Sequence, residues 1–150
     1  MKASELANTS VATITSDETL AEAAHRLREN HVGDLVVLDE NDPEGPPIGI
    51  ITDRDVTIAV DEYGPEHVGT KKVRAAMTEN LILGKADDPV EKLVQNMRDN
   101  GIRRIPIIDS EDDIVGIVTF DDLIGYYGDG LMKMAELVQQ EISAEVSESP

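Results

Sequence analysis

An internal repeat constrains the fold of this chain more than any other feature of its sequence. At an offset of 70 residues, one register runs from Lys2, aligned with Lys72, to Asp39, aligned with Asp109. After a loop that is three residues shorter in the second copy, the match resumes at an offset of 67, where Gly49 aligns with Gly116. A register of this length with a single gap indicates two copies of one structural unit.

Each copy has the pattern of a β-α-β-β-α unit. The first helix of copy one has apolar residues at Leu20, Ala23 and Leu27, a 3.6-residue period, and its start is preceded by polar residues suited to capping. In copy two, Gly101 is expected to end the corresponding helix. A unit of about 60 residues would leave one apolar sheet face uncovered, so the two sheets are expected to pack against each other.

The predicted fold is therefore of the α/β (α+β) class: two tandem β-α-β-β-α repeats packed sheet to sheet with pseudo-two-fold symmetry, plus a C-terminal helix. An apolar stripe on that helix, including Leu131, Val138 and Ile142, indicates a packing or dimer face. The predicted boundaries are residues 2–60 for repeat 1, 61–71 for a linker, 72–127 for repeat 2, 128–143 for the C-terminal amphipathic helix and 144–150 for a flexible tail.

The charge of the chain excludes some functions and leaves its setting open. Thirty-one acidic and 13 basic residues give a net charge of −18, which opposes binding to nucleic acid. An ordinary acidic protein and a protein of a high-salt cytoplasm both fit, and the small number of lysines favours the second, with a halophilic archaeon as the expected source. No apolar run is long enough for a membrane span, and no signal peptide is recognisable, so a cytoplasmic location is expected.

A Gly-x-x-Thr-x-x-Asp pattern occurs in both copies where a strand gives way to a helix. Free N–H groups at the start of a helix suit a phosphate, and Thr52 or Thr119 adds a hydroxyl donor. Asp55 or Asp122, three residues later, is placed to accept hydrogen bonds from ribose hydroxyls. The alternative is that each Thr and Asp only caps its helix.

Together these motifs resemble the cystathionine-β-synthase (CBS) domain pair, or Bateman module, over residues 2–124. The resemblance is carried by Gly101–Asp109, by Met77-Thr78 and by the Gly-x-x-Thr-x-x-Asp pattern in both copies. It implies a non-catalytic regulatory module that binds AMP, ADP or ATP, less readily NAD or S-adenosylmethionine, in a cleft between the copies. It also implies a homodimer formed through the helices and an effector protein, which must be separate because no effector domain is recognisable in the sequence.

The resemblance further implies roles for individual residues. Arg103 and Arg104 are expected to contact ligand phosphates, unless each pairs with a surface carboxylate, and Pro106 is expected near the base. The aligned residues of copy one include Gly33 and Asp34, so one good site is expected, with Arg54 as a partial replacement. The predicted nucleotide-binding residues are Thr119, Asp122, Arg103, Arg104, Pro106, Ile102, Leu81, Leu83, Gly116, Thr52, Asp55 and Arg54.

Two other functions are alternatives to nucleotide binding. The first is an interaction scaffold of the same fold that binds no ligand. The second is an enzyme, for which the sequence offers no catalytic constellation: acidic neighbours such as Asp121 and Asp122 do not face one site, and no phosphate-binding Walker loop occurs. His25, His31 and His67 lack the spacing of metal ligands, so neither a metal nor a catalytic cofactor is expected.

Overall fold

The computed structural model describes residues 1–148, which form five helices and six strands. Two short 3₁₀ turns, Val68–Thr70 and Val73–Ala75, lie between the repeats. The elements in chain order are α1 (Ala3–Leu6), β1 (Thr13–Thr15), α2 (Leu20–Glu29), β2 (Asp34–Leu38), β3 (Gly49–Thr52), α3 (Asp53–Tyr63), β4 (Gly84–Lys85), α4 (Val90–Asn100), β5 (Arg104–Ile108), β6 (Ile114–Thr119) and α5 (Phe120–Glu148).

The strands form two three-stranded sheets of identical topology, β1-β2-β3 and β4-β5-β6. In each sheet the first pair is parallel and the second antiparallel. The register places Asp34 opposite Thr52 in one sheet and Arg104 opposite Thr119 in the other, as the repeat alignment requires. The prediction of two β-α-β-β-α repeats is confirmed.

Each sheet has one face on its own helices and one face on the other sheet. Leu35 and Val37 lie in the core of repeat 1, whereas Val36, between them, packs against Ile50 and Ile117 in a separate cluster that joins the repeats. This alternation follows from the two-residue period of a strand. The predicted sheet-to-sheet packing is therefore present.

The repeats exchange their leading segments. Ala3 is fully buried in the core of repeat 2, and Asn8 exchanges backbone hydrogen bonds with Ile117 of β6. The equivalent segment of repeat 2 covers repeat 1: Val73 lies in its core, and the Thr78 N–H donates to the Ile50 carbonyl at 2.8 Å. As a result, residues 78–82 cross from β3 of repeat 1 to β4 of repeat 2.

One continuous helix, α5, replaces the two helices that the sequence predicted in repeat 2 and residues 128–143. The equivalent helix α3 ends at Gly64, which has a φ of 83° and is followed by proline. The repeat alignment places Leu131 at the position of Gly64, so this stop is missing and α5 continues. The interior glycines of α5 keep a negative φ.

Other boundaries also differ from the predicted ones. The helix extends through residues 144–148 of the predicted tail, and residues 149–150 lie outside the described part of the chain. Helix α3 extends into the predicted linker, as far as Tyr63. Gly101 ends α4 with a φ of 63°, as predicted, and the aligned His31 has a φ of 52°. Within residues 1–148, no helix combines the length and the apolar character needed to cross a bilayer.

Candidate functional site

A cleft of about 490 Å³ lies between the two repeats, where β3 meets α3 on one side and the α4–β5 turn lies on the other. The crossing segment forms its floor. It is lined by residues of three chain regions: Ile50, Thr52, Asp53 and Arg54; Thr78, Asn80, Leu81 and Ile82; and Gly101, Ile102, Arg103 and Arg104. The aliphatic members can pack against a flat apolar group, and the arginines can bind an anion.

Thr52 and Asp55 form a reciprocal capping box at the start of α3. The Asp55 N–H donates to the Thr52 Oγ1 at 3.1 Å, and the Thr52 N–H donates to the Asp55 Oδ2 at 2.9 Å. Thr119 and Asp122 make the same pair of bonds at α5, at 3.2 and 2.8 Å. The capping role that the sequence left open is thus present in both repeats. It fixes the orientation of each helix start and satisfies one of the backbone N–H groups there.

Arg103 and Arg104 differ in their surroundings although they are neighbours. The Arg103 side chain is 72% exposed, lies 4.8 Å from the centre of the Phe120 ring and is 3.8 Å from an Asp121 carboxylate oxygen. Arg104 is half-buried, with its Nε 3.3 Å from Asp34 Oδ2. Arg54 is exposed and forms no ion pair with any residue in 1–148. The cleft therefore has two exposed cations, Arg54 and Arg103, and one half-buried cation, Arg104.

The Asp34–Arg104 pair connects the two repeats. These residues occupy the same position in the alignment, so the contact lies close to the pseudo-two-fold axis. Burial raises the pKa of the Asp34 carboxyl, and the nearby Asp53 adds to this rise, while the Arg104 guanidinium opposes it. The Arg104 Nε is buried and makes no hydrogen bond within residues 1–148, although it lies near Asp34. The pair is close but imperfectly satisfied.

Six of the predicted site residues line this cleft and six do not. Those in the cleft are Thr52, Arg54, Leu81, Ile102, Arg103 and Arg104. Outside it are Asp55, which is bonded to Thr52, and Thr119, Asp122, Gly116, Pro106 and Leu83. The structure thus does not bring Thr119 and Asp122 into the cleft that the two arginines line. The packing of the two repeats explains this, because it brings Arg104 of repeat 2 beside Asp34, whose partner in the strand register is Thr52 of repeat 1.

Gly116 and Gly49 have a packing role. A Cβ atom on Gly116 would lie 2.6 Å from the Ala7 Cβ and 3.0 Å from the Asn8 carbonyl oxygen. One on Gly49 would lie 2.8 Å from the Met77 Sδ and 3.0 Å from the Thr78 carbonyl oxygen. Each glycine lets the exchanged segment approach its sheet.

Sequence reasoning missed several cleft residues: Asp53, Thr78 and Asn80. Asn80 has a φ of 57°, in the left-handed region that asparagine tolerates better than most residues. Its presence before Leu81 was a turn signal, but nothing in the sequence pointed to the crossing that carries it into the cleft.

Comparisons with known proteins agree with this architecture. A family model for the CBS domain matches residues 3–62 and 73–129. The chain belongs to the CBS domain family. An uncharacterized protein of Methanopyrus kandleri is 38% identical over 122 residues, covering 80% of this chain and 59% of that protein. Inosine-5′-monophosphate dehydrogenase of Methanocaldococcus jannaschii is 33% identical over 123 residues, covering 82% of this chain and 23% of the enzyme.

The chain thus spans less than two thirds of each of these relatives. Among solved structures, a CBS domain pair in complex with 5′-methylthioadenosine and S-adenosyl-L-methionine aligns with a TM-score of 0.73 at 27% identity. The alignment covers 87% of this chain and 98% of that one. The CBS pair described here therefore shares its fold with a pair that binds adenosine derivatives.

Proposed function

We propose that this CBS pair is a non-catalytic regulatory module that binds an adenine nucleotide of the AMP, ADP or ATP type in the cleft lined by Thr52, Arg54, Arg103 and Arg104. The observation that carries the proposal is the position of three arginines around one partly apolar cleft in a chain of net charge −18. The adenosine derivatives bound by the structurally similar CBS pair support it.

The chemistry of the cleft divides into two parts. Ile50, Leu81 and Ile102 offer aliphatic surface for the faces of a base. The guanidinium groups of Arg54 and Arg103 offer donors to phosphate. A volume of about 490 Å³ lies within the usual range for small-molecule sites.

We place the ribose and phosphate at Thr52, which lines the arginine cleft, and at Asp55, which lies outside that lining and is bonded to Thr52. In the repeat alignment, the corresponding place in repeat 2 has Thr119, Asp122 and Gly116, and it has Gly33 where the arginine cleft has Arg103. It therefore lacks the exposed guanidinium group that Arg103 offers to a phosphate. One strong site for each chain is therefore expected.

Binding would act on the relative arrangement of the repeats. A ligand that contacts Thr52 of repeat 1 and Arg103 of repeat 2 stabilises arrangements in which both can reach it. A separate effector protein then recognises the favoured arrangement. NAD and S-adenosylmethionine are the less favoured ligands.

Calorimetry at molar KCl with AMP, ADP, ATP, NAD and S-adenosylmethionine tests the proposal. A ligand at 100 times its Kd is expected to stabilise the fold by about 2.7 kcal/mol. Arg103→Ala should reduce the affinity for ATP, whereas Arg98→Ala, an exposed arginine on α4 that does not line this cleft, should not. Absence of binding by every one of these compounds at millimolar concentration would contradict the proposal.

A ligand-free scaffold is the second candidate function, favoured by one specific observation. Three polar side chains of the cleft already have partners in the chain: Thr52 bonds to Asp55, Arg104 lies beside Asp34, and Arg103 lies over Phe120. Failure of all nucleotides to bind, together with stable self-association, would favour the scaffold.

A homodimer through the helices is part of both proposals. An apolar groove of about 380 Å³ lies between α4 and α5, and the far half of α5 continues it with an exposed stripe. The exposed large apolar residues of this face are Val94, Phe120, Ile124, Tyr127, Leu131, Met134, Val138 and Ile142. Eight such side chains amount to roughly 800 Å², the area that each partner buries in an interface of standard size.

Light scattering coupled to gel filtration at molar KCl checks the dimer. Val138→Glu is expected to yield the monomer. Gln140→Glu lies on the opposite side of the helix, at 100° per residue, and should leave the dimer intact. A monomeric parent chain would contradict the dimer.

We also propose a high-salt cytoplasm as the setting, as in a halophilic archaeon. Self-repulsion at a net charge of −18 is screened by salt, since the Debye length falls to about 3 Å at 1 M. The melting temperature should therefore rise between 0.1 and 2 M KCl. A flat or falling curve would contradict this setting.

A further inference from the structure

One carboxylate is positioned to compete with an anionic ligand for an arginine of the cleft. Asp34 begins β2, and its side chain is only 19% exposed. Its Oδ2 lies 3.3 Å from the Nε of Arg104, which lines the cleft and is 34% exposed. Asp34 therefore places a carboxylate beside the proposed phosphate site, held there by the strand register that pairs it with Thr52.

The second acidic partner in this region is held much less firmly. Asp121 faces Arg103 at 3.8 Å, but its side chain is 89% exposed. Water screens that contact, so it contributes little to the charge of the cleft. The partly buried Asp34–Arg104 contact is screened less and has a larger effect on an incoming anion.

We propose that Asp34 is an internal competitor for Arg104, so that a phosphate group in the cleft binds Arg104 at the expense of the ion pair joining the two repeats. This inference rests on the proposed function insofar as the natural ligand carries phosphate. Asp34 then has two effects. It lowers the affinity for phosphate-bearing ligands, and it links their binding to a contact between the repeats.

The physical basis is the incomplete satisfaction of the pair. The Arg104 Nε has no hydrogen bond within the described residues, so the contact with Asp34 leaves one guanidinium donor unused. Burial is the main cause that raises the pKa of the Asp34 carboxyl, and the neighbouring Arg104 opposes this rise without reversing it. A phosphate oxygen accepts hydrogen bonds from guanidinium in a bidentate geometry that this contact lacks.

The direct test is Asp34→Asn, which removes the charge and keeps the shape. Calorimetry at fixed KCl compares adenosine, AMP, ATP and inorganic tripolyphosphate. The variant is expected to bind ATP and tripolyphosphate about tenfold more tightly than the parent chain, with adenosine unchanged. Asp121→Asn is the matched control, since it removes the exposed partner of the neighbouring arginine, and is expected to change these affinities less than twofold.

A second variant separates competition from simple repulsion. In an Arg104→Gln background, Asp34→Asn should lose most of its effect, because no arginine is left to release. A full tenfold effect in that background would overturn the competition and show through-space repulsion. Weaker binding of tripolyphosphate by Asp34→Asn would also overturn it, since Asp34 would then position Arg104 for the ligand.

Two measurements keep this inference distinguishable from the proposed function. If no adenine compound binds but Asp34→Asn still tightens tripolyphosphate, the nucleotide proposal fails and the competition stands. If neither form of the chain binds any of the compounds, both fail. Should Asp34→Asn not fold, the ¹⁵Nε resonance of Arg104 in the parent chain is the readout: it should shift with tripolyphosphate and not with adenosine, and an unchanged resonance would overturn the inference.

Discussion

The turn before the central strand has the same backbone in both repeats and opposite charge. The Asp53 N–H donates to the Gly33 carbonyl at 3.1 Å, and in repeat 2 the Phe120 N–H donates to the Arg103 carbonyl at 2.7 Å. The next residue is Asp34 in one repeat and Arg104 in the other. The duplicated pattern of apolar and capping residues thus fixes the backbone, while two side chains determine which cleft attracts an anion.

This difference also keeps two like charges away from the pseudo-two-fold axis. Two identical charges at the aligned positions would repel each other there. One aspartate and one arginine instead form a contact at 3.3 Å. Divergence of the two copies therefore serves both the charge of the cleft and the joint between the repeats.

The largest expected effect comes from removing the charge difference between the two turns, by giving repeat 2 the two turn residues of repeat 1. Arg103→Gly together with Arg104→Asp is expected to abolish ATP binding, with a loss of at least about 100-fold, because the phosphate loses two guanidinium partners and meets an acid. Two half-buried acids would also face each other, which costs about 2–4 kcal/mol of folding stability. Calorimetry and urea denaturation measure the two effects. Retained affinity would show that these arginines do not bind the ligand.

Gly116 and Gly49 each face one of the exchanged segments, and substituting them tests whether the two segments pack equally tightly on their sheets. Gly116→Ala is expected to lower the free energy of unfolding by about 2–3 kcal/mol, because the new Cβ meets the Cβ of Ala7 and a backbone oxygen. Gly49→Ala should cost less, about 1–2 kcal/mol, since the flexible Met77 side chain can move. Urea denaturation gives both values, and the reverse order would contradict the proposed difference between the segments.

The capping residues separate stability from binding. Thr52→Ala and Thr119→Ala should each lower the free energy of unfolding by about 1 kcal/mol, because each removes an equivalent capping bond. Only Thr52→Ala should also weaken ATP binding, since Thr119 does not line the arginine cleft. If Thr119→Ala weakened binding more, the ligand would occupy the other cleft.

The pH dependence of the free energy of unfolding provides a smaller test of the Asp34–Arg104 pair. Burial raises the pKa of Asp34 above its ordinary value of 3.8, with Asp53 adding to the rise and Arg104 opposing it. The folded chain therefore holds this proton more tightly than the unfolded chain. The contribution of Asp34 to stability is consequently largest at low pH and is lost as the pH rises from about 3.8 through the raised pKa.

Asp34→Asn should remove this pH-dependent contribution of Asp34 to the free energy of unfolding. Subtracting its stability curve from that of the parent chain, between pH 3 and 7, isolates Asp34 from the other carboxylates. A difference that grows in favour of the parent as the pH rises would have the wrong sign and would contradict the raised pKa.

The smallest expected effect on stability concerns α3 and α5, the last helix of each repeat. Introducing the Gly64-Pro65 stop of α3 at the aligned positions, as Leu131→Gly with Met132→Pro, should end α5 early. Far-ultraviolet circular dichroism should show less helix, while the unfolding free energy of the monomer changes by less than about 1 kcal/mol, because the far half of α5 is exposed. A large loss of monomer stability would indicate that this half packs on its own chain.

The fold was predictable because its evidence is local and repeated. The 3.6-residue period, the capping residues and the aliphatic strands occur twice in one register, so the order of elements followed from the sequence. The residue types of the site were predictable for the same reason. Their grouping was not, because Thr52 and Arg103 line one cleft only through the packing of one repeat on the other, which has no local signal in the sequence.

The sequence also contains a signal for the length of α5. The contrast between Gly64 and the aligned Leu131 shows where one helix stops and the other continues. The three glycines of residues 125–130 pointed the other way, and they favour a break only when the chain adopts a positive φ at one of them.

The exchanged leading segments affect the order in which contacts can form while the chain is being synthesised. Repeat 1 receives its cover, around Val73, shortly after its own strands have been synthesised. Residues 3–8 precede the strands of both repeats, yet the Ala3 N–H donates to the carbonyl of Asp88, and Asn8 pairs with Ile117, which lies more than 100 positions later in the sequence. Because synthesis runs from the N-terminus, the bonds between Asn8 and Ile117 cannot form until β6, the last of the six strands, has been made.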